Sequence, residues 1–220
     1  MDPQFRFGRS YDFNEILADG IVHGIGVALA LIGATALIFY ATMWAGRPEQ
    51  VAAWIYCIGL VTALAISFTY NMLPVSRFKW HMRRLDHSAI FILIAATYTP
   101  FLQRGSDDPV IFALLIGIWV MAAMGITIKC LFPGRYDRLA ILLYLMMGWS
   151  GLLAFRSIAT VLPFASMMLL LIGGVIYSVG VIFHVWEKLR FQNAIWHGFV
   201  VTAAAMHYSA VLMSFHMDGS

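Results

Sequence analysis

Residues 67–101 read SFTYNMLPVSRFKWHMRRLDHSAIFILIAATYTPF. An apolar run ends in this stretch, a basic polar hinge follows with Arg77, Lys79, Arg83 and Arg84, and a second apolar run opens through Asp86 and His87. The two runs therefore leave a membrane and re-enter it on the same side. An Asp and a His at the mouth of a lipid-soluble helix are expensive to keep there, so they mark a functional site whose partners lie elsewhere in the chain.

Composition agrees with that reading. Of 220 residues, 61% are hydrophobic and 11% charged, with a mean hydropathy of +0.82, whereas soluble domains are about a quarter charged. The chain is an integral membrane protein. Its net charge of +3 and pI near 9.0 come from basic residues in short connections rather than a patch or tail, which excludes nucleic acid as a partner and leaves membrane lipids. Cys57 and Cys130 stand singly inside apolar runs and read as small buried hydrophobes. The first twenty residues mix Arg6 and Arg9 with Asp2, Asp12, Glu15 and Asp19. No cleavable signal is expected there, and the first span itself directs insertion.

A spanning helix needs about 20 mostly apolar residues. Seven runs approach that length, at 20–44, 51–71, 86–102, 109–128, 139–155, 163–186 and 194–215. The fold class is therefore all-α, a seven-transmembrane helix bundle with a tail at 1–19 and a membrane domain at 20–216. Gly, Pro and charge punctuate the breaks, including Gly46-Arg47-Pro48-Glu49, Arg104 to Asp108, a short turn at Arg156, and Glu187 to Arg190. On alternate sides of the spans, Lys and Arg number 11 against 3. The positive-inside rule then places the amino terminus in the cytoplasm and the carboxyl terminus outside. Glycines at 20, 24, 26 and 33, and again at 173, 174 and 180, mark helix contacts rather than chemistry.

The polar residues of the spans gather at one depth. Ser67 and Asn71 stand at i and i+4 at the cytoplasmic end of the second span, and Asp86 opens the third from that side. Asn193 and His197, again i and i+4, open the seventh; His23 follows Asp19 by one turn, and His184 closes the sixth. By connectivity all of these can meet in one layer near the inner leaflet. Each also has a plainer reading: Ser67 bonding its own helix, Asn71 as a cap, Asp86 favoured by a helix start or paired with Arg83 or Arg84, and His23 with Asp19 as a structural pair. His207 lies ten residues beyond His197, about 15 Å along a helix, and falls outside such a layer. His81 and His216 read as solvated or at the lipid headgroups. If a metal is present, His197 is a credible ligand and Asp86 a base or water-orienting group. Asn71 and Asn193 offer only amide oxygens, which suit hard cations better than zinc.

At these residues the sequence resembles the hemolysin III family of bacterial membrane proteins, grouped with the progestin and adipoQ receptors and the alkaline ceramidases. The matching pieces are EILADGIVHGIG (15–26), Ser67 to Asn71, LDHSAIFILIAATYTPF (85–101), GGVIYSVGVIFH (173–184) and IWHGFVVTAAAMH (195–207). The resemblance implies seven helices with the amino terminus inside, and a zinc bound by the three His of a Ser-x-x-x-His on the second span and a His-x-x-x-His on the seventh, with the Ser and an Asp that opens the third span beside it. Ser67, Asp86 and His197 occupy the Ser, Asp and last His positions, whereas Asn71 and Asn193 stand where relatives have the other two ligands.

Three functions follow as expectations. The first is a hydrolase-like or sensing protein for membrane lipids in the cytoplasmic membrane of a bacterium, whose enzyme form is a metal-dependent lipid amide or ester hydrolase, with Ser67 and Asp86 as catalytic residues and His197 as a metal ligand. The second is the pore-forming cytolysin of the family's name, which fits poorly with a conventional resident of the membrane. The third is a channel or transporter, which calls for ionisable residues strung through the membrane depth. The orientation is testable directly: a reporter fused after Ser220 is expected to be active only on the outer face and one inserted at Arg77 only in the cytoplasm. The reverse pattern would invert the topology.

Overall fold

The computed structural model describes residues 10–132 and 134–215, so His216 lies outside the described residues. Seven helical segments are long and apolar enough to cross a membrane, and no strand occurs among the described residues. They are α1 (Phe13–Trp44), α2 (Arg47–Met72), α3 (Arg77–Arg104), α4 (Pro109–Leu131), a broken fifth segment, α7 (Phe164–Val185) and α8 (Gln192–Phe215). The fifth comprises α5 (Asp137–Trp149), a 3-10 turn (Ser150–Ala154) and α6 (Phe155–Val161).

Several helices start earlier than their apolar runs. α1 begins inside the expected tail because Asp12 and Glu15 form a reciprocal capping box: Glu15 N donates to Asp12 Oδ1 at 2.9 Å and Asp12 N to Glu15 Oε2 at 3.0 Å. α3 begins at Arg77, where Ser76 Oγ accepts from Lys79 N at 3.1 Å. The basic hinge is thus helical, and Asp86 sits more than two turns inside α3 rather than at its start. A helix-end dipole does not account for it.

The fifth segment runs through Arg156 instead of turning there, and ends at Leu162 and Pro163. Its 3-10 turn has a local cause. The Tyr98 hydroxyl donates to Gly148 O at 2.7 Å and accepts from Gly151 N at 2.9 Å, entering the backbone ladder between them.

Helices adjacent in sequence pack side by side, and α1 closes the ring against α8. α3 is the most buried segment and also touches α5, α6 and α8. Two apolar clusters use its two faces. Leu37, Tyr56, Leu60, Phe101, Val211 and Phe215 belong to one, and Phe91, Leu102, Ile111, Ile118 and Met147 to the other. Large apolar side chains such as Leu29, Ile32, Phe39, Ile58 and Val120 point outward, as lipid contact requires.

Gly59 and Gly125 are among the glycines on which close helix approach depends. A Cβ at Gly59 would stand 2.6 Å from Ala96 Cβ, and one at Gly125 would enter the Phe91 ring. Overpacking of this kind costs about 1–3 kcal/mol. Gly125→Val is therefore expected to lower the melting temperature in detergent, while Gly117→Val, which meets open space, leaves it unchanged; equal melting of the two would refute the packing account.

Candidate functional site

The helices bring one end of α1, α2, α3 and α8 together around the carboxylate of Asp19. Asp19 and His23 are 3% exposed and His197 is 9% exposed. Asp19 and His23 face the bundle because both lie on the buried stripe of α1 that continues through Gly26, Ala30 and Ala34. His197 Nδ1 stands 2.6 Å from Asp19 Oδ1, although 178 residues separate them. His23 Nδ1 stands 2.9 Å from Asp19 O and 3.4 Å from Asp19 Oδ1. The two imidazoles meet edge to face with ring centres 4.1 Å apart.

These contacts define the tautomers. Carbonyl and carboxylate oxygens only accept, so each Nδ1 carries its hydrogen and each neutral imidazole keeps a bare Nε2. The His23 Nε2 is 3.3 Å from Ser67 Oγ, whose one hydrogen has two acceptors in reach, that nitrogen and the Asp86 carboxylate. Asp86, partly buried on α3, also hydrogen-bonds Ser67 and lies in the field of His197, His23 and Arg83.

Asn71 and Asn193 complete the layer. Asn71 Nδ2 donates to Ser67 O at 2.9 Å and turns toward Ser67 Oγ at 3.5 Å. Asn193 Nδ2 donates to Asn71 Oδ1 at 3.4 Å. The Tyr11 hydroxyl points between Asn193 Oδ1 at 3.1 Å and Gln192 Oε1 at 3.0 Å. Glu15 Oε1 accepts from Phe191 N at 3.0 Å, where the backbone takes φ 58° just before α8. Tyr11 and Glu15 thereby clamp the start of α8 onto the start of α1.

Ser67, Asn71, Asp86, Asn193 and His197 thus share one neighbourhood, with Asp19 and His23 inside it. The contacts of Tyr11, Glu15 and Gln192 have no signal in the sequence, because their partners are remote along the chain. His207 lies elsewhere, with Nε2 3.2 Å from Leu170 O. His184 packs at a tilt against Trp196, with ring centres 4.9 Å apart, and its carbonyl accepts from Gln192 Nε2 at 2.6 Å. His87, expected to mark the site beside Asp86, faces away from it. Adjacent helical residues differ by about 100°, and His87 Nδ1 lies instead 3.6 Å from Asp137 Oδ1. Asp137 also holds Arg83 at 2.8 Å and the buried Lys129 at 2.5 Å, forming a separate ionic group that ties α3, α4 and α5.

The donor set does not suit zinc at the positions that the family resemblance implies. An Asn offers a cation only its oxygen, and both Oδ1 atoms here accept hydrogen bonds. Asp19, His23 and His197 do bring one potential ligand atom each within 4.8 Å of one another. A cation held through the Nδ1 atoms would displace their contacts with Asp19, whereas one held through the Nε2 atoms would leave those contacts in place.

A lipid-soluble seven-helix bundle with a buried Asp–His pair and a partly buried Ser and Asp at one end defines a multi-pass membrane protein with an ionisable site between its helices. The Haemolysin-III related family model matches residues 12–208. The Hemolysin-3 homolog of Bacillus subtilis (strain 168) is 35% identical over 202 residues, covering 92% of this chain and 95% of that protein. Hemolysin-3 of Bacillus cereus is 37% identical over 198 residues, 90% of each chain. The human Monocyte to macrophage differentiation factor is 34% identical over 171 residues, 74% of this chain and 70% of that protein. The chain belongs to the hemolysin III family, within the progestin and adipoQ receptor superfamily.

The double variant Asn71→His with Asn193→His places three imidazoles together with His197. Because zinc favours imidazole over amide oxygen, the purified variant is expected to carry about one zinc per chain by elemental analysis and the natural protein far less. Stoichiometric zinc in the natural protein would show that the Asp19 trio, or other residues, form a competent site.

Proposed function

We propose that this protein is a hydrolase-like or sensing protein for membrane lipids, serving lipid homeostasis in the cytoplasmic membrane of a bacterium, with its amino terminus in the cytoplasm. One observation carries the reading: Asp19, His23, Ser67, Asp86 and His197 converge from four helices at one end of an otherwise apolar bundle. Ionisable groups inside a membrane are costly and are kept for function. At that end the chain carries the larger share of its Lys and Arg, so the site opens toward the inner leaflet and its anionic headgroups.

The chemistry of the layer supports acyl-bond cleavage. Ser67 offers a hydroxyl, the two bare Nε2 atoms offer bases, and Asp86 orients a hydroxyl or water. A channel has less support, because toward the opposite end the core is filled by Leu37, Leu60, Phe101, Val211 and Phe215. A lytic protein released from the cell also sits poorly with a buried multi-span fold.

The test uses purified protein in vesicles of bacterial phospholipid, with and without N-acyl lipids. The expected result is release of free fatty acid that falls at least about 100-fold in Asp86→Ala, the scale of a lost acid–base group. A sensor would instead bind one lipid class saturably without turnover. Neither release nor saturable binding would reject the proposal.

A further inference from the structure

We propose that Ser67 is a nucleophile and that the reaction needs no metal: His23 is its general base, Asp19 positions both histidines, and the Asn71 and Asn193 amides bind the oxyanion. This rests on the lipid-hydrolase reading of the preceding section. Its grounds are the distances from Ser67 Oγ to His23 Nε2 (3.3 Å) and from His23 Nδ1 to Asp19 O (2.9 Å) and Oδ1 (3.4 Å). A serine, a base within reach and an acid behind the base is the arrangement that activates a hydroxyl. Because Asp19 O cannot donate, the neutral imidazole has its lone pair on the Ser67 side.

The two asparagines acquire a role in this account. A zinc would act as the electrophile that polarises an acyl carbonyl. With both amide oxygens engaged, what Asn71 and Asn193 can offer a reacting group is N–H. Asn71 Nδ2 already lies 3.5 Å from Ser67 Oγ, close to where a carbonyl attacked by that oxygen would have to sit. Amide donors of this kind hold oxyanions in other acyl-transfer sites, and losing one costs about 100- to 1,000-fold in rate.

The substrate class is a lipid with an acyl chain in amide or ester linkage. Ser67 Oγ forms a bond to the acyl carbon as its proton passes to His23 Nε2. The carbon–nitrogen or carbon–oxygen bond to the headgroup portion then breaks, and the leaving amine or alcohol takes that proton. A water oriented by Asp86 gives a proton to His23 and its oxygen bonds the acyl carbon. Ser67 Oγ departs with the proton from His23, and a free fatty acid is released. No oxidant, reductant or metal enters the balance. His197, on the same carboxylate, is a positioning residue that keeps Asp19 in place.

The experiment is covalent labelling of the detergent-purified full chain with a lipid-tailed fluorophosphonate, alongside fatty acid release from the vesicles. The proposal expects one adduct per chain, mapped to Ser67 and unaffected by chelator. Labelling disappears in Ser67→Ala and slows at least about 100-fold in His23→Gln. Ser67→Cys retains size and a nucleophile, so it tests the position if Ser67→Ala fails to fold: it is expected to become alkylated by a lipid-tailed iodoacetamide at a rate that again depends on His23. Fatty acid release that persists in Ser67→Ala, or stops on chelation and returns with zinc, would overturn the nucleophile and leave the lipid-hydrolase reading standing. No adduct and no release would overturn both.

Discussion

Asp19 is the group on which the rest of the site depends. A carboxylate 3% exposed inside a lipid-soluble bundle has a solvation penalty of several kcal/mol unless donors surround it. The His197 Nδ1–H supplies one at 2.6 Å, and the His23 ring, whose Nδ1–H bonds the Asp19 carbonyl at 2.9 Å, stands 3.4 Å from the same carboxylate oxygen. That requirement fixes which ring nitrogen of each histidine carries a hydrogen, and so which faces the rest of the layer. It also ties α1 to α8, which are remote in sequence and close the ring of helices.

The same constraint links fold to chemistry. The capping box at Asp12 and Glu15 extends α1 far enough for Asp19 and His23 to lie within the helix, two turns in. Glu15 then reaches the turn before α8, and Tyr11 reaches Gln192 and Asn193. Helix starts that carry the site are therefore held by hydrogen bonds rather than by apolar packing alone. The ionic group at Asp137 performs a comparable task for α3, α4 and α5.

Much of this is legible in the sequence, and the exceptions have physical causes. Hydropathy locates seven apolar segments because lipid demands long apolar helices. Spacing at i and i+4 pairs Ser67 with Asn71, Asn193 with His197 and Asp19 with His23. What spacing cannot give is partner choice across helices: Asp19 reads as the neighbour of His23, yet its shortest contact is with His197. Apolar runs also mark the lipid-compatible part of a helix and not its end, so α3 begins nine residues before Asp86. The break in the fifth segment comes from Tyr98, a residue of another helix.

The central claim is that Asp19 holds His23 and His197 with hydrogen on Nδ1 and a lone pair on Nε2. Solid-state 15N NMR of histidine-labelled protein in lipid reads that property, with His23→Gln and His197→Gln used to assign the two rings. The account predicts Nδ1–H tautomers for both, and disruption of the His197 tautomer in Asp19→Ala. Nε2–H tautomers for both rings in the unmodified protein would contradict it.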